Sequence, residues 1–153
     1  MSDKSKRILL VAIPVIAFVI LFLVNLSSYM GLYDDIVSVV LLASVAVILP
    51  AQVEQPKARF GWLLALSLTV TVAAVGLFAL CKPAVSTKQA SALLLEAGYT
   101  EIGITEGQRT YPLEEGGNWF VNKGYQYTAS KEDGEPETVR VHPFTGELTV
   151  IEG

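Results

Sequence analysis

The sequence predicts an α+β protein with three transmembrane helices followed by a small extracytoplasmic domain, in which one helix packs on an antiparallel sheet. Three apolar runs contain no charged side chain: residues 8–26, 36–51 and 60–81. About 20 apolar helical residues are needed to cross a bilayer. After Pro83 the chain becomes polar and shows one helical pattern followed by several strand-like patterns. We therefore predict a transmembrane region at 1–83 and an extracytoplasmic domain at 84–153.

The three helices differ in how well their lengths match a bilayer. We expect helices at about 8–28, 33–51 and 60–81. The second apolar run alone covers only about 24 Å, so we extend its helix back to residue 33, which places Asp34 and Asp35 near the headgroups. In the first helix Pro14 removes one backbone hydrogen bond, which predicts a kink.

The basic residues predict the orientation of the helices. Five of them precede the first run or lie between the second and third: Lys4, Lys6, Arg7, Lys57 and Arg59. The loop at 29–35 has none, and cytoplasmic loops collect Lys and Arg. We therefore expect a multi-pass cell-membrane protein with a cytoplasmic N-terminus and an extracytoplasmic C-terminal domain. The alternative is a cleaved signal peptide at the first run, which the length of that run and the poor cleavage site at 26–29 disfavour.

The third helix carries a stripe of small residues at intervals of four: Gly61, Ala65, Thr69 and Ala73. Small side chains let a second helix approach closely, and close packing is the main source of helix association in lipid. The stripe could pack against the first two helices of this chain or against another subunit. Trp62 lies where an interfacial aromatic anchor is expected.

The C-terminal domain begins with a helix start signal. Ser86 can cap a helix and Gln89 can reach back to it, and Gly98 supplies the left-handed ending that follows many helices. Alternating patterns then predict strands at 100–105, 124–130, 137–142 and 147–152. The expected core is an apolar set of residues: Ile102, Ile104, Trp119, Val121, Tyr125, Tyr127, Val139, Val141, Leu148 and Val150.

The charge differs between the two parts of the chain. Residues 1–83 hold six Lys or Arg against four Asp or Glu, whereas residues 84–153 hold five against eleven. An acidic outer domain repels nucleic acid and anionic headgroups. We therefore exclude nucleic acid as a partner and expect the lipid bilayer and another membrane or extracytoplasmic protein. The single cysteine, Cys81, cannot form an internal disulfide and is expected at the membrane interface.

No residue pattern predicts catalysis, a cofactor or a metal site. His142 is the only histidine in the sequence, so it lacks a second imidazole for a metal and is expected to face solvent. The acidic residues at 132–137 lack the spacing of a calcium-binding loop. The pair at 114–115 lacks a cleft in which two carboxylates could work as acid and base. We predict that the protein is not an enzyme and uses no cofactor.

Five aromatic residues of the outer domain have two interpretations: Tyr111, Trp119, Phe120, Tyr125 and Tyr127. They could line a peptide-binding surface, or they could pack in the core of the domain.

Three segments carry a family resemblance. They read Ala-Gly-Tyr at 97–99, Tyr-Gln-Tyr-Thr-Ala at 125–129 and Val-Arg-Val-His-Pro-Phe-Thr-Gly-Glu-Leu at 139–148. Together they resemble a PepSY-type domain, over most of the C-terminal domain and chiefly in its last hairpin. The resemblance implies a helix on a short antiparallel sheet and a non-catalytic module outside the cell membrane, of a kind thought in some cases to modulate peptidases. That family usually has aspartate where this chain has His142.

These observations favour a non-enzymatic, membrane-anchored binding or regulatory module that acts on a protein or peptide at the outer membrane surface. An exposed strand edge would suit the addition of a peptide. Two alternatives remain: a structural accessory subunit of a larger membrane complex, joined through the stripe on the third helix, and an immunity-type protein that blocks a toxin at the membrane.

Overall fold

A computed structural model describes residues 2–53, 60–104, 109–132 and 134–151 of the chain. Four α-helices lie within these residues: α1 (Asp3–Tyr29), α2 (Ile36–Gln52), α3 (Phe60–Cys81) and α4 (Thr87–Glu96). Five strands follow: β1 (Tyr99–Ile104), β2 (Thr110–Pro112), β3 (Lys123–Lys131), β4 (Glu137–Val141) and β5 (Leu148–Ile151). All the paired strands are antiparallel. The predicted α+β class is therefore confirmed.

Some predicted features fall outside the described residues. These are the basic residues Lys57 and Arg59 and the strand ends predicted at 105 and 152.

The chain divides into two compact units. The first comprises Met1–Leu23 and Asp35–Leu80, and the second comprises Val24–Asp34 and Cys81–Gly153. The last part of α1 and the loop after it therefore belong with the sheet, although α2 and α3 separate them from it along the chain.

Helix α1 begins at Asp3, before the predicted start at residue 8. The Ser2 hydroxyl accepts the backbone N–H of Ser5 at 3.2 Å, which satisfies one of the amides that a helix start leaves unpaired. Asp3 lies in the first turn, where negative charge is favoured, and pairs with Lys6 at 2.7 Å. The apolar run predicted only the part of the helix that lipid would surround, and the polar first turn is held by its own capping contacts.

Helix α2 begins at Ile36, so the predicted start at 33 is wrong. The side chain of Asn25 forms hydrogen bonds with both the carbonyl and the N–H of Tyr33. Its amide donates to the Tyr33 carbonyl at 2.9 Å and its oxygen accepts the Tyr33 N–H at 3.2 Å. These two bonds fix Tyr33 in the loop, and the N-cap of the helix is Asp35. The 17 residues of α2 cover about 26 Å.

Helices α1 and α3 are long enough and apolar enough to cross a membrane, with 27 and 22 residues. Only 22% and 28% of their most apolar windows are buried within the protein. Helix α2 is apolar but shorter than these two. The core of the first unit is a cluster of Leu10, Val45, Leu49 and Leu63, which draws residues from all three helices.

The second unit is built on the sheet, whose strand order is β1-β3-β4-β5, with β2 also pairing with β3. Helix α4 packs on β1 and β3. It begins with the predicted capping box between Ser86 and Gln89, and Gly98 follows it with a φ of +89°. Only glycine takes this left-handed conformation without steric strain.

The predicted core is correct at its centre and wrong at its margins. Five predicted residues are fully or almost fully buried: Val121, Tyr125, Tyr127, Val139 and Val141. Ile104 and Val150 are about half exposed, and Trp119 is 97% exposed. Helix α4 has only ten residues and packs chiefly on β1 and β3, so it does not cover the whole sheet. Trp119 lies outside the sheet, in the turn that precedes β3.

Candidate functional site

The five aromatic residues predicted to form a surface do not lie together. Tyr125 and Tyr127 are buried on the face of β3 that α4 covers. The hydroxyl of Tyr125 donates to the Val85 carbonyl at 2.7 Å. Burial raises the pKa of both phenols, so both stay neutral at physiological pH. Of the two interpretations, the burial of these two side chains supports packing in the core of the domain.

Tyr111 lies on the opposite face of the sheet, across from Gly124. A Cβ atom at Gly124 would overlap the Tyr111 ring, so the absence of a side chain at Gly124 leaves room for the ring. The guanidinium of Arg140 stacks on the ring with its central carbon 4.6 Å from the centroid. Arg140 also donates to Gln126 at 3.3 Å. This face is therefore an ordered polar surface with one partly covered aromatic ring.

Three strands of the described sheet have only one neighbour, β1, β2 and β5, and the two longest of them, β1 and β5, offer different edges. Strand β1 carries the charged residue Glu101 and has a register shift between Tyr99 and Glu101. Both features discourage pairing with a further strand. Strand β5 reads Leu-Thr-Val-Ile and has no charged residue. The edge formed by β5 is therefore the more open of the two to an added strand.

The hydrogen bonds of the β4–β5 hairpin show which backbone groups face outward along β5. His142 donates its N–H to the Glu147 carbonyl at 2.9 Å, which identifies these two residues as a hydrogen-bonded pair. Hydrogen-bonded and non-bonded pairs alternate along an antiparallel ladder. The pairs Val141 with Leu148 and Val139 with Val150 are therefore non-bonded. The N–H and C=O groups of Leu148 and Val150 point away from β4, to the outer side of the sheet.

The turn that joins β4 to β5 is held by the ring of His142. Its Nδ1 accepts the backbone N–H groups of Phe144 at 3.3 Å and Thr145 at 3.2 Å. Its Nε2 lies 3.3 Å from the Glu115 carbonyl. A neutral imidazole with its proton on Nε2 satisfies all three contacts. The ring of His142 is partly exposed, and its role as an acceptor in the turn is one that the sequence did not predict.

A second cluster joins the loop after α1 to the turn before β3. The rings of Tyr33 and Phe120 stack with centroids 5.3 Å apart and planes 3° from parallel. The N–H of Asp34 donates to the Phe120 carbonyl at 2.6 Å. Since Asn25 holds Tyr33 in place, three segments are locked into one structure. Nothing in the local sequence predicts this cluster, because α2 and α3 separate its parts along the chain.

The turn at 118–121 also contacts the end of α3. The side-chain amide of Asn118 donates to the carbonyl of Cys81 at 3.0 Å. Its side-chain oxygen accepts the N–H groups of Phe120 and Val121, both at 2.8 Å. Asn118 thus fixes the turn internally and ties it to the last residue of α3.

The stripe on α3 is exposed at all four positions, Gly61, Ala65, Thr69 and Ala73. The buried residues of α3 are Leu63, Ser67, Ala74 and Phe78. At 3.6 residues per turn, these two sets lie on nearly opposite sides of the helix. The first unit therefore packs on the other side of α3 and leaves the small residues open.

Within the described ranges no three His, Cys, Asp or Glu side chains lie close enough to hold a metal ion. In the acidic segment Glu132 and Glu135 are exposed, and Asp133 is outside the described residues. The carboxylate of Glu137 accepts a hydrogen bond from the Tyr99 hydroxyl at 3.1 Å.

No family model matches the chain, and comparisons with curated proteins and with solved structures gave no match.

Proposed function

We propose that the protein is a non-enzymatic, membrane-anchored module whose outer domain binds an extended segment of a partner protein along the edge of β5. In this proposal α1, α2 and α3 all cross the membrane, the N-terminus is cytoplasmic and the C-terminal domain is extracytoplasmic.

Exposed apolar side chains support the membrane anchor. Many large apolar residues of the three helices are more than half exposed: Ile8, Ile16, Ile20, Leu23, Val40, Val47, Ile48, Val72 and Leu80. A soluble protein rarely leaves so large an apolar surface uncovered, whereas lipid covers it at no cost. The low buried fraction of α1 and α3 also distinguishes them from the core helices of a soluble protein.

The segments that make up the second unit support a membrane crossing by α2. The last part of α1 with the loop after it, Val24–Asp34, and the chain from the last residue of α3, Cys81, both belong to this unit. If α1 and α3 each cross the membrane and end on the same side, α3 must start on the opposite side. Helix α2 must then carry the chain back across. The five basic residues near the other helix ends support a cytoplasmic location for that opposite side.

The edge of β5 carries the peptide-binding part of the proposal. It combines an uncharged strand with outward-facing backbone groups at Leu148 and Val150. Such an edge adds an extended peptide through main-chain hydrogen bonds. The outer domain has an excess of six acidic residues, eleven against five. A basic peptide is therefore favoured over an acidic one.

A proline substitution tests this edge directly. Val150→Pro removes an N–H that points away from β4, and proline is tolerated at such an edge position. We expect the full-length protein in nanodiscs to select extended, basic peptides from a displayed library. Val150→Pro should weaken their binding about fivefold, since each lost hydrogen bond contributes about 1 kcal/mol.

The control is Val150→Ala, which shortens the same side chain but keeps the N–H, and it should bind within about twofold of the original. Circular dichroism establishes that both variants fold. Equal binding by Val150→Pro and Val150→Ala, or the selection of no peptide at all, contradicts the proposal.

The PepSY resemblance is part of the proposal and draws support from two features. The order α4, β1, then the β3–β4–β5 meander fits the helix-on-sheet arrangement that the resemblance implies. In the last hairpin His142 accepts two backbone N–H groups, a role that an aspartate carboxylate also fills in turns. The departure from the family pattern at His142 is thus a substitution of one acceptor for another.

The exposed stripe on α3 favours a second candidate function, that of an accessory subunit in a larger membrane complex. Among the described residues, a Cβ atom at Gly61 would meet nothing within 4 Å, so they leave room there for a larger side chain. A neighbouring helix from another subunit would pack closely against these small residues.

A further inference from the structure

Trp119 is a large apolar side chain at the tip of a rigid turn. It is 97% exposed, yet both neighbours in the sequence are fixed. Asn118 and Val121 form a bridge with N–H to carbonyl distances of 2.9 and 3.2 Å, and Phe120 stacks on Tyr33. The turn is thus held in shape while its tryptophan makes almost no contact with the rest of the domain.

The turn lies beside the ends of two apolar helices. Asn118 donates to the carbonyl of Cys81, the last residue of α3, at 3.0 Å. Trp119 is therefore the residue next to the one whose side chain contacts that helix end. The next residue after α3, Lys82, donates to the hydroxyl of Tyr29 at 2.8 Å, and Tyr29 is the last residue of α1.

The geometry points to Trp119 as a lipid anchor that inserts into the outer headgroup layer of the membrane beside the ends of α1 and α3. This inference rests on the membrane crossings of the proposed function. Trp and Lys are residue types that gather at this depth. Both lie next to the end of α3, since Lys82 follows Cys81 and Trp119 follows Asn118, which contacts Cys81, whereas Tyr29 is buried. The indole ring is apolar, and its one N–H is a donor that ester carbonyl oxygens can accept.

The charge of the domain indicates which lipid it contacts. Residues 84–153 carry eleven acidic against five basic side chains, so anionic headgroups are repelled and the contact depends on the indole ring. A zwitterionic phospholipid is therefore the matching surface. The position beside two helix ends favours lipid over a protein partner, because a bilayer surrounding α1 and α3 brings its headgroups to this level.

The two tryptophans of the chain, Trp62 and Trp119, provide the probe and its control. Trp62→Phe leaves Trp119 as the only indole, and Trp119→Phe leaves Trp62, which is 71% exposed near the start of α3. Each full-length variant is reconstituted in phosphatidylcholine vesicles with bromine atoms near the glycerol end or near the methyl end of the acyl chains. Bromine quenches tryptophan emission on contact, so the loss of emission reports the depth of each ring.

We expect Trp119 emission to be blue-shifted from that of tryptophan in water, and to lose more intensity with bromines near the glycerol end than with bromines near the methyl end. If Trp62 is quenched but Trp119 is not, and added iodide quenches Trp119 instead, the ring lies in water and is open to a protein partner. That result overturns the anchor and leaves the membrane crossings intact. If neither tryptophan is quenched, the helices are not in lipid, and the proposed function and this inference both fail.

Discussion

At the scale of single residues, the role of His142 is set by the backbone groups that its ring contacts. The sequence shows a lone histidine and excludes a metal pair, but it does not reveal that the ring accepts two amides in the turn after β4. Gly116 makes room for it, because a Cβ atom there would lie 2.9 Å from Nε2. That contact joins two segments that β3 and β4 separate along the chain, which local pattern cannot predict.

Two substitutions of His142 separate its acceptor role from its bulk. His142→Leu keeps a side chain of comparable size but removes the acceptor, and should lower the free energy of unfolding of the outer domain by about 1–2 kcal/mol. His142→Asn keeps a neutral acceptor and should lose less than half of that. Urea unfolding followed by near-ultraviolet circular dichroism measures both. Equal stability of His142→Leu and the original protein contradicts the role assigned to the ring.

The aromatic residues show the same limit of sequence reasoning. Alternation in β3 correctly places Tyr125 and Tyr127 on one face of the strand, but the sequence does not say that α4 covers this face. Trp119 is a residue type that usually packs in a core. It is exposed here because hydrogen bonds to the Asn118 side chain stabilise its turn without any contact from the indole ring.

At the scale of elements, those with strong periodicity or caps were predictable and those defined by distant contacts were not. Helix α4 shows its capping residues in the sequence, and β3 and β4 show their alternation. Strand β2 has three residues and ends in Pro112, so it carries too little pattern to be recognised, and only its pairing with β3 defines it. The start of α2 depends on Asn25, which lies in the preceding helix.

The sequence predicts the stripe on α3 as a packing surface, and substitutions within it test whether it contacts another subunit. Gly61→Leu combined with Ala65→Leu fills the stripe, and both positions are exposed in this chain. If the accessory-subunit candidate is correct, the double variant should lose co-purifying membrane proteins in mild detergent while the outer domain stays folded.

The matched control keeps the stripe small with Gly61→Ala and Ala65→Ser, which should retain any complex. An unchanged set of co-purifying proteins with leucine at both positions would count against the accessory subunit.

At the scale of the whole molecule, the decisive feature is that the loop after α1 belongs to the same compact unit as the C-terminal domain. Charge distribution predicts an extracytoplasmic position for both, but the sequence does not show that they are in contact. The stacking of Tyr33 on Phe120 and the hydrogen bond from Asp34 join them. An odd number of crossings follows if α1 and α3 both cross the membrane and end on this side.

The position of the two chain ends tests this account most directly. In a Cys81→Ser background, Ser2→Cys and Glu135→Cys each place one thiol at an exposed site, and a membrane-impermeant maleimide reports its side. Three crossings predict that Glu135→Cys is labelled in intact cells and that Ser2→Cys is labelled only after permeabilisation. Labelling of both sites under the same condition would mean an even number of crossings and would contradict the account.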